Sequence, residues 1–135
     1  MPRVSAAEER AYAQAAAHIR SAAGALGMDF EALDAAYRQT MAADDPTDGG
    51  PAGRVFVAAK WWLPTGTDPA TLDTVTEFWR RGGYDLIADG RRDPLPYVWA
   101  EDPTDGYRVG LDTNAQGRLV LGASSPLFWS EGEGP

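Results

Sequence analysis

The chain of 135 residues contains no cysteine, and this absence excludes disulfide bonds, thiolate metal sites and thiol catalysis. It contains one histidine, His18, which argues against a transition-metal site and against a serine–histidine mechanism. No apolar run approaches the ~20 residues of a membrane helix, and the N-terminus lacks the apolar core of a signal peptide. We therefore expect a cytoplasmic protein without a membrane span.

Basic residues are scarce relative to acidic ones. The chain has 12 lysines and arginines against 20 aspartates and glutamates, which gives a net charge of −8. Phosphate contacts need clustered basic side chains, so we predict no nucleic-acid partner. An acidic surface commonly serves solubility alone. The alternative is a surface complementary to a basic protein partner, where opposite charge raises the association rate.

Residues 1–43 have the pattern of two helices. An alanine-rich run carries apolar residues at helical spacing, among them Tyr12, Ile19 and Leu26. A second helix is predicted to start after Asp29, with four residues on one face: Phe30, Leu33, Tyr37 and Met41. The prediction is a helical hairpin with His18 half-exposed beside the first stripe. Because alanine buries little apolar area, we expect the first helix to be a separable appendage.

Residues 54–129 predict a β-α-β-β-β-β unit, which follows a loop at 43–53. The predicted strands are 54–63, 84–88, 97–101, 107–113 and 118–123, and the predicted helix is 68–81. Asp68-Pro69 gives this helix an N-cap and a proline at its first position. Gly-containing turns at 102–106 and 113–117 predict hairpins. We predict one α+β domain over residues 1–135, with a mostly antiparallel sheet and helices on one face.

No motif in the chain carries recognisable chemistry. Asp-Pro-Thr-Asp-Gly occurs twice, but neither copy has acids at the alternating positions that a calcium loop needs. Gly122-Ala-Ser-Ser-Pro is not a nucleophile elbow, because its serines end a strand and precede proline. Glu77 and Glu101 are acids to check for a glycosidase pair, although nothing singles them out. We predict no catalytic residue, no metal ligand and no cofactor.

Five tryptophans are the anomaly of the composition. Trp61 and Trp62 are adjacent on a predicted strand and must point to opposite faces, while Trp79 fits the core. Trp99 shares its strand face with Tyr97, which makes a candidate binding platform because such residues dominate interface hot spots. The predicted partner-binding residues combine these aromatics with acids: Tyr97, Trp99, Glu101, Asp102 and Asp105.

Two stretches resemble a loose group of small actinobacterial proteins. They are Gly82-Gly-Tyr-Asp and Asp105-Gly-Tyr…Asn114-x-x-Gly-x-Leu-x-Leu-Gly-Ala-Ser-Ser-Pro126. Many proteins of that group are secreted or lipid-anchored, their function is unknown, and the pattern often ends Ser-Pro-Cys. Here Leu127 stands where that cysteine would fall, which is consistent with an intracellular member that makes no disulfide.

Three functions fit these observations. The leading hypothesis is a non-enzymatic acidic protein-binding module, in its most concrete form an immunity or inhibitor protein that neutralises a cognate bacterial toxin. The second is an envelope-associated accessory domain, as the resemblance implies. The third is a small-ligand binder or enzyme with an aromatic-lined pocket between sheet and helices. The sequence leaves the oligomeric state and the identity of the partner open.

Overall fold

A computed structural model describes residues 6–42, 54–66 and 68–129. Within them the chain forms two α-helices, one short 3₁₀ turn at Phe30–Ala32, and seven strands. The elements are α1 (Ala6–Ala25), β1 (Asp34–Ala42), β2 (Arg54–Gly66), α2 (Pro69–Arg81), β3 (Asp85–Gly90), β4 (Tyr97–Glu101), β5 (Arg108–Thr113), β6 (Arg118–Ser124) and β7 (Phe128–Trp129). The predicted loop at 43–53 lies outside the described residues.

The strands form one sheet in which every described pair is antiparallel. The strand order is β1-β2-β6-β5-β4-β3, and β7 pairs with β2. The α+β class and the antiparallel sheet are therefore confirmed, as is the β-α-β-β-β-β order from residue 54 onward. Asp68 caps α2 as predicted, because its side chain accepts a hydrogen bond from the Ala70 N–H at 3.0 Å.

The predicted second helix is wrong. After the 3₁₀ turn, the chain from Asp34 onward is an edge strand that pairs with β2, with Thr40 opposite Val57. The apolar spacing that predicted a helix was real, but β2 offers an otherwise open edge whose backbone groups need partners. Pairing along that edge outweighs the weak helical preference of the sequence. The N-terminal segment is thus one helix and one strand.

The core lies between one face of the sheet and both helices. Ile19 of α1 and Trp79 of α2 belong to the same buried cluster as Val98, Leu111 and Leu121 of the sheet. Trp79 is fully buried, as predicted, although its indole N–H has no hydrogen-bond partner among the described residues. The alanines of α1 that face the sheet are also buried, and their small side chains let the helix approach closely. The packing places α1 in the main core.

Candidate functional site

The strands carry a second face, opposite the helices. Side chains alternate along a strand, and in β4 Val98 and Ala100 point into the core. Tyr97, Trp99 and Glu101 therefore point the other way, and no described element packs over them. We call this second face of the sheet the open face. Three of the five predicted partner-binding residues share it.

Two rings of the open face lie flat on backbone glycines. Trp99 is paired with Gly110 across β4 and β5, and Tyr97 is paired with Gly90 across β3 and β4. A Cβ atom added at either glycine would lie 2.1 Å from a ring carbon of its partner, so only glycine admits these rings. The Trp99 indole N–H donates to the Asp112 carboxylate at 3.0 Å. These contacts fix the orientation of Trp99.

The open face continues across β2 and β1. The pair of adjacent tryptophans divides as predicted: Trp61 packs on the core side against Phe30, whereas Trp62 lies on the open face. The Arg118 guanidinium sits 4.7 Å from the centre of the Trp62 ring. In the same way, the Lys60 ammonium sits 5.8 Å from the centre of the Tyr37 ring. Both of these rings are thus in contact with a cation of the chain itself.

Charges on the open face are largely paired with one another. Arg108 donates to Glu101 at 3.1 Å, and Arg118 lies 3.9 Å from Asp34. Asp112 accepts the Trp99 N–H. Among the described residues, what distinguishes the open face is therefore its aromatic content and not its charge.

Asp102 and Asp105, the other two predicted partner-binding residues, lie in the turn between β4 and β5, beside α1. Gly106 has a φ of 77°, a conformation that favours glycine, and its N–H donates to the Asp102 carbonyl at 2.8 Å. This turn directs the Asp105 carboxylate toward α1, where it contacts His18 and Gln14. The five predicted residues therefore do not form one surface.

His18 is the centre of a polar cluster that the sequence did not predict. It was expected to be half-exposed, but its side chain is only 6% exposed. Its Nδ1 lies 2.5 Å from the Tyr84 hydroxyl and its Nε2 lies 2.7 Å from Asp105. The ring also stacks on Tyr107 at 5.3 Å between centroids. When Nε2–H donates to Asp105, Nδ1 accepts from the Tyr84 O–H, so one neutral tautomer satisfies every polar atom of the ring.

The electrostatics of this cluster follow from its burial and its carboxylates. Burial, together with the negative charges of Asp102 and Asp105, raises the pKa of Tyr84 to about 12. Burial acts to raise the pKa of Asp105, but hydrogen bonds from the Tyr107 backbone N–H, Gln14 and His18 outweigh it and lower that pKa below the ordinary 3.8. Tyr84 is therefore a hydrogen-bond donor at neutral pH and not an activated nucleophile.

The cluster also contains side chains of the types that bind metal ions. His18, Asp102 and Asp105 each offer one ligand atom, and these atoms lie within 4.8 Å of one another. However, both ring nitrogens of His18 and both oxygens of Asp105 already bond to protein groups. The cluster is complete as a hydrogen-bond network that fastens α1 to the sheet, and we assign it that role.

None of the described helices is long and apolar enough to cross a membrane. Comparison of the chain with protein-family models, with curated proteins and with solved structures finds no match.

Proposed function

We propose that the protein is a non-enzymatic protein-binding module that docks its partner on the open face, with Trp99 at the centre of contact. The proposal rests on one observation. No described element covers this face of the sheet, and two of its rings, Tyr97 and Trp99, lie flat on backbone glycines. Rigid aromatics lose little conformational entropy on binding, and Trp and Tyr are enriched among the residues that dominate interface energies.

The partner is a basic protein. The net charge of −8 attracts such a partner over long range and speeds encounter. On the open face itself, Trp62 and Tyr37 each contact a cation of the chain, whereas no cation of the described residues lies over Tyr97 or Trp99. An arginine or lysine of the partner can occupy the outer face of the Trp99 ring, with Asp112 beside it.

The concrete form of this proposal is an immunity or inhibitor protein that neutralises a basic bacterial toxin by occluding it. In this arrangement Tyr97, Trp99 and Glu101 make contact, while Asp102 and Asp105 contribute only to the long-range attraction. A protein that inhibits by occlusion needs no catalytic set, which fits a cluster at His18 whose groups are already paired with one another.

The test is a binding comparison with a purified partner. Proteins of the native host that bind the wild-type chain are purified, and their affinity for the wild type, for Trp99→Ala and for Thr74→Ala is measured by calorimetry. Thr74 is the control because it is an exposed, uncharged residue of α2, on the opposite side of the sheet. Trp99→Ala should weaken binding about thirtyfold, since hot-spot truncations cost about 2 kcal/mol or more, and Thr74→Ala should leave it unchanged.

A second variant separates binding from folding. Trp99 covers Gly110, so Trp99→Ala can loosen the sheet. Lys60→Glu instead replaces a positive charge of the open face by a negative one, and it should therefore strengthen binding of a basic partner. An affinity that neither change alters by more than about twofold would refute the open face as the docking surface. The toxin hypothesis has a test of its own, in which cells express the gene of the identified partner together with this chain. The wild-type chain should protect those cells from the partner's toxicity, and the Trp99→Ala chain should not.

A further inference from the structure

A cleft of about 640 Å³ lies on the helix side of the molecule, between the first half of α1 and the segment that follows β6. Its walls are mainly apolar, formed by Ala11, Tyr107, Leu127 and Phe128. Two polar side chains of α1, Arg10 and Gln14, face it. The cleft is wide open to solvent, and its volume lies in the range of small-molecule sites.

Most polar groups around the cleft are already used. The Tyr107 hydroxyl donates to the Ala11 carbonyl at 3.3 Å. The Ser125 hydroxyl accepts from the Val57 N–H at 3.0 Å and donates to the Pro126 carbonyl at 2.9 Å. None of these atoms needs a ligand, so they contribute shape and not recognition.

Two groups remain available among the described residues. The Arg10 guanidinium forms no ion pair and no hydrogen bond there, in contrast to Arg20 and Arg38, which each pair with a glutamate. Gln14 uses its amide nitrogen on Asp105 at 2.9 Å, which leaves its carbonyl oxygen free. The cleft thus presents a forked cationic donor, one neutral acceptor and an apolar wall.

We infer that this cleft binds a small apolar monocarboxylic acid. The carboxylate pairs with the Arg10 guanidinium, whose planar fork matches it in bidentate geometry, and the apolar body packs on Tyr107 and Leu127. A single negative charge is specified because Arg10, unpaired among the described residues, compensates one charge, while the net charge of −8 disfavours any further negative charge on the ligand. The site is separate from the open face and does not depend on the function proposed above.

The experiment is a nuclear magnetic resonance titration of the full chain with benzoate and hexanoate, each compared with its uncharged amide. The acids should shift the backbone amides of Ala7, Ala11 and Ser125 and the side-chain amide of Gln14. Arg10→Gln should weaken acid binding at least tenfold, because it removes a charge-assisted contact worth about 1.5–3 kcal/mol. The uncharged amides should bind the wild-type chain no more tightly than the acids bind the Arg10→Gln variant.

Two controls define the outcome. Arg20→Gln changes an exposed arginine on the same helix and should leave acid binding intact. Leu127→Asp should abolish binding by placing a carboxylate in the apolar wall. The inference is overturned by no shift at about 10 mM acid, a concentration that detects even binding near −3 kcal/mol, by equal binding of acid and amide, or by an unaffected Arg10→Gln.

Discussion

Tyr84 shows how burial, aided by two nearby carboxylates, can raise the pKa of a side chain that forms no ion pair. Its hydroxyl hydrogen-bonds His18, and its pKa is raised to about 12 by burial and by the charges of Asp102 and Asp105. Because the folded pKa exceeds the ordinary value of 10.0, Tyr84 stabilises the fold fully below pH 10. That contribution is lost as pH rises toward the folded pKa, since the unfolded phenol ionises first.

We predict that the ultraviolet ionisation of the wild type has a late step near pH 12 that Tyr84→Phe removes. Asp102→Asn should move this step to lower pH, because it deletes one of the charges that oppose the phenolate. Tyr37→Phe is the matched control, since it removes a phenol from the opposite side of the sheet and leaves the carboxylates near Tyr84 in place. A late step that persists in Tyr84→Phe would assign it to another tyrosine.

At the scale of elements, α1 is held by packing and by several side-chain hydrogen bonds, among them those of His18. Ile19 and the inward alanines bury the apolar stripe, but alanine contributes little area per residue. His18 adds bonds to Tyr84, which follows α2, and to Asp105, in the turn between β4 and β5. A single side chain thus joins the helix to two further parts of the chain.

We predict that His18→Leu lowers the free energy of unfolding by about 1–3 kcal/mol, because it leaves the Tyr84 hydroxyl and Asp105 without their partner. Ala17→Leu, at an exposed position of the same helix, should have a much smaller effect. Urea denaturation followed by circular dichroism measures both. The His18→Leu loss should shrink in an Asp105→Asn background, since the two residues act as a pair; fully additive losses would show that they do not.

Elements differ in how far the sequence predicts them. The α2 boundary follows from local chemistry, a capping Asp68 and Pro69, and β4 follows from alternation over Tyr97–Glu101. Strand β1 could not be predicted locally, because its pairing partner β2 decides its conformation. The His18 cluster was hidden for the same reason: Tyr84 is 66 residues away and Asp105 is 87 residues away, and no local pattern records such distances. The one local indication was the Asp-Gly-Tyr sequence at 105–107, which predicted a turn but not its contact with His18.

At the scale of the whole molecule, α1 packs in the same buried cluster as the sheet and β1 pairs with β2, which argues against our expectation of a separable N-terminal appendage. A fragment that starts near residue 54 lacks both α1 and β1. It exposes the core face of β2 and β6, where Leu63 and Leu121 are fully buried in the intact chain. It also leaves the edge of β2 unpaired, and such an edge favours aggregation.

We therefore predict that residues 54–135 alone do not keep a cooperative fold, contrary to what the alanine-rich sequence of α1 indicated. In the full chain, amide exchange in the centre of α1 should be as slow as in β5 and β6, since all three open only with global unfolding. Exchange measured by nuclear magnetic resonance and thermal melting of the fragment test this together. Fast exchange at Ile19 with slow exchange at Leu111 and Leu121, and a fragment with a sharp melting transition, would instead show that α1 is an appendage.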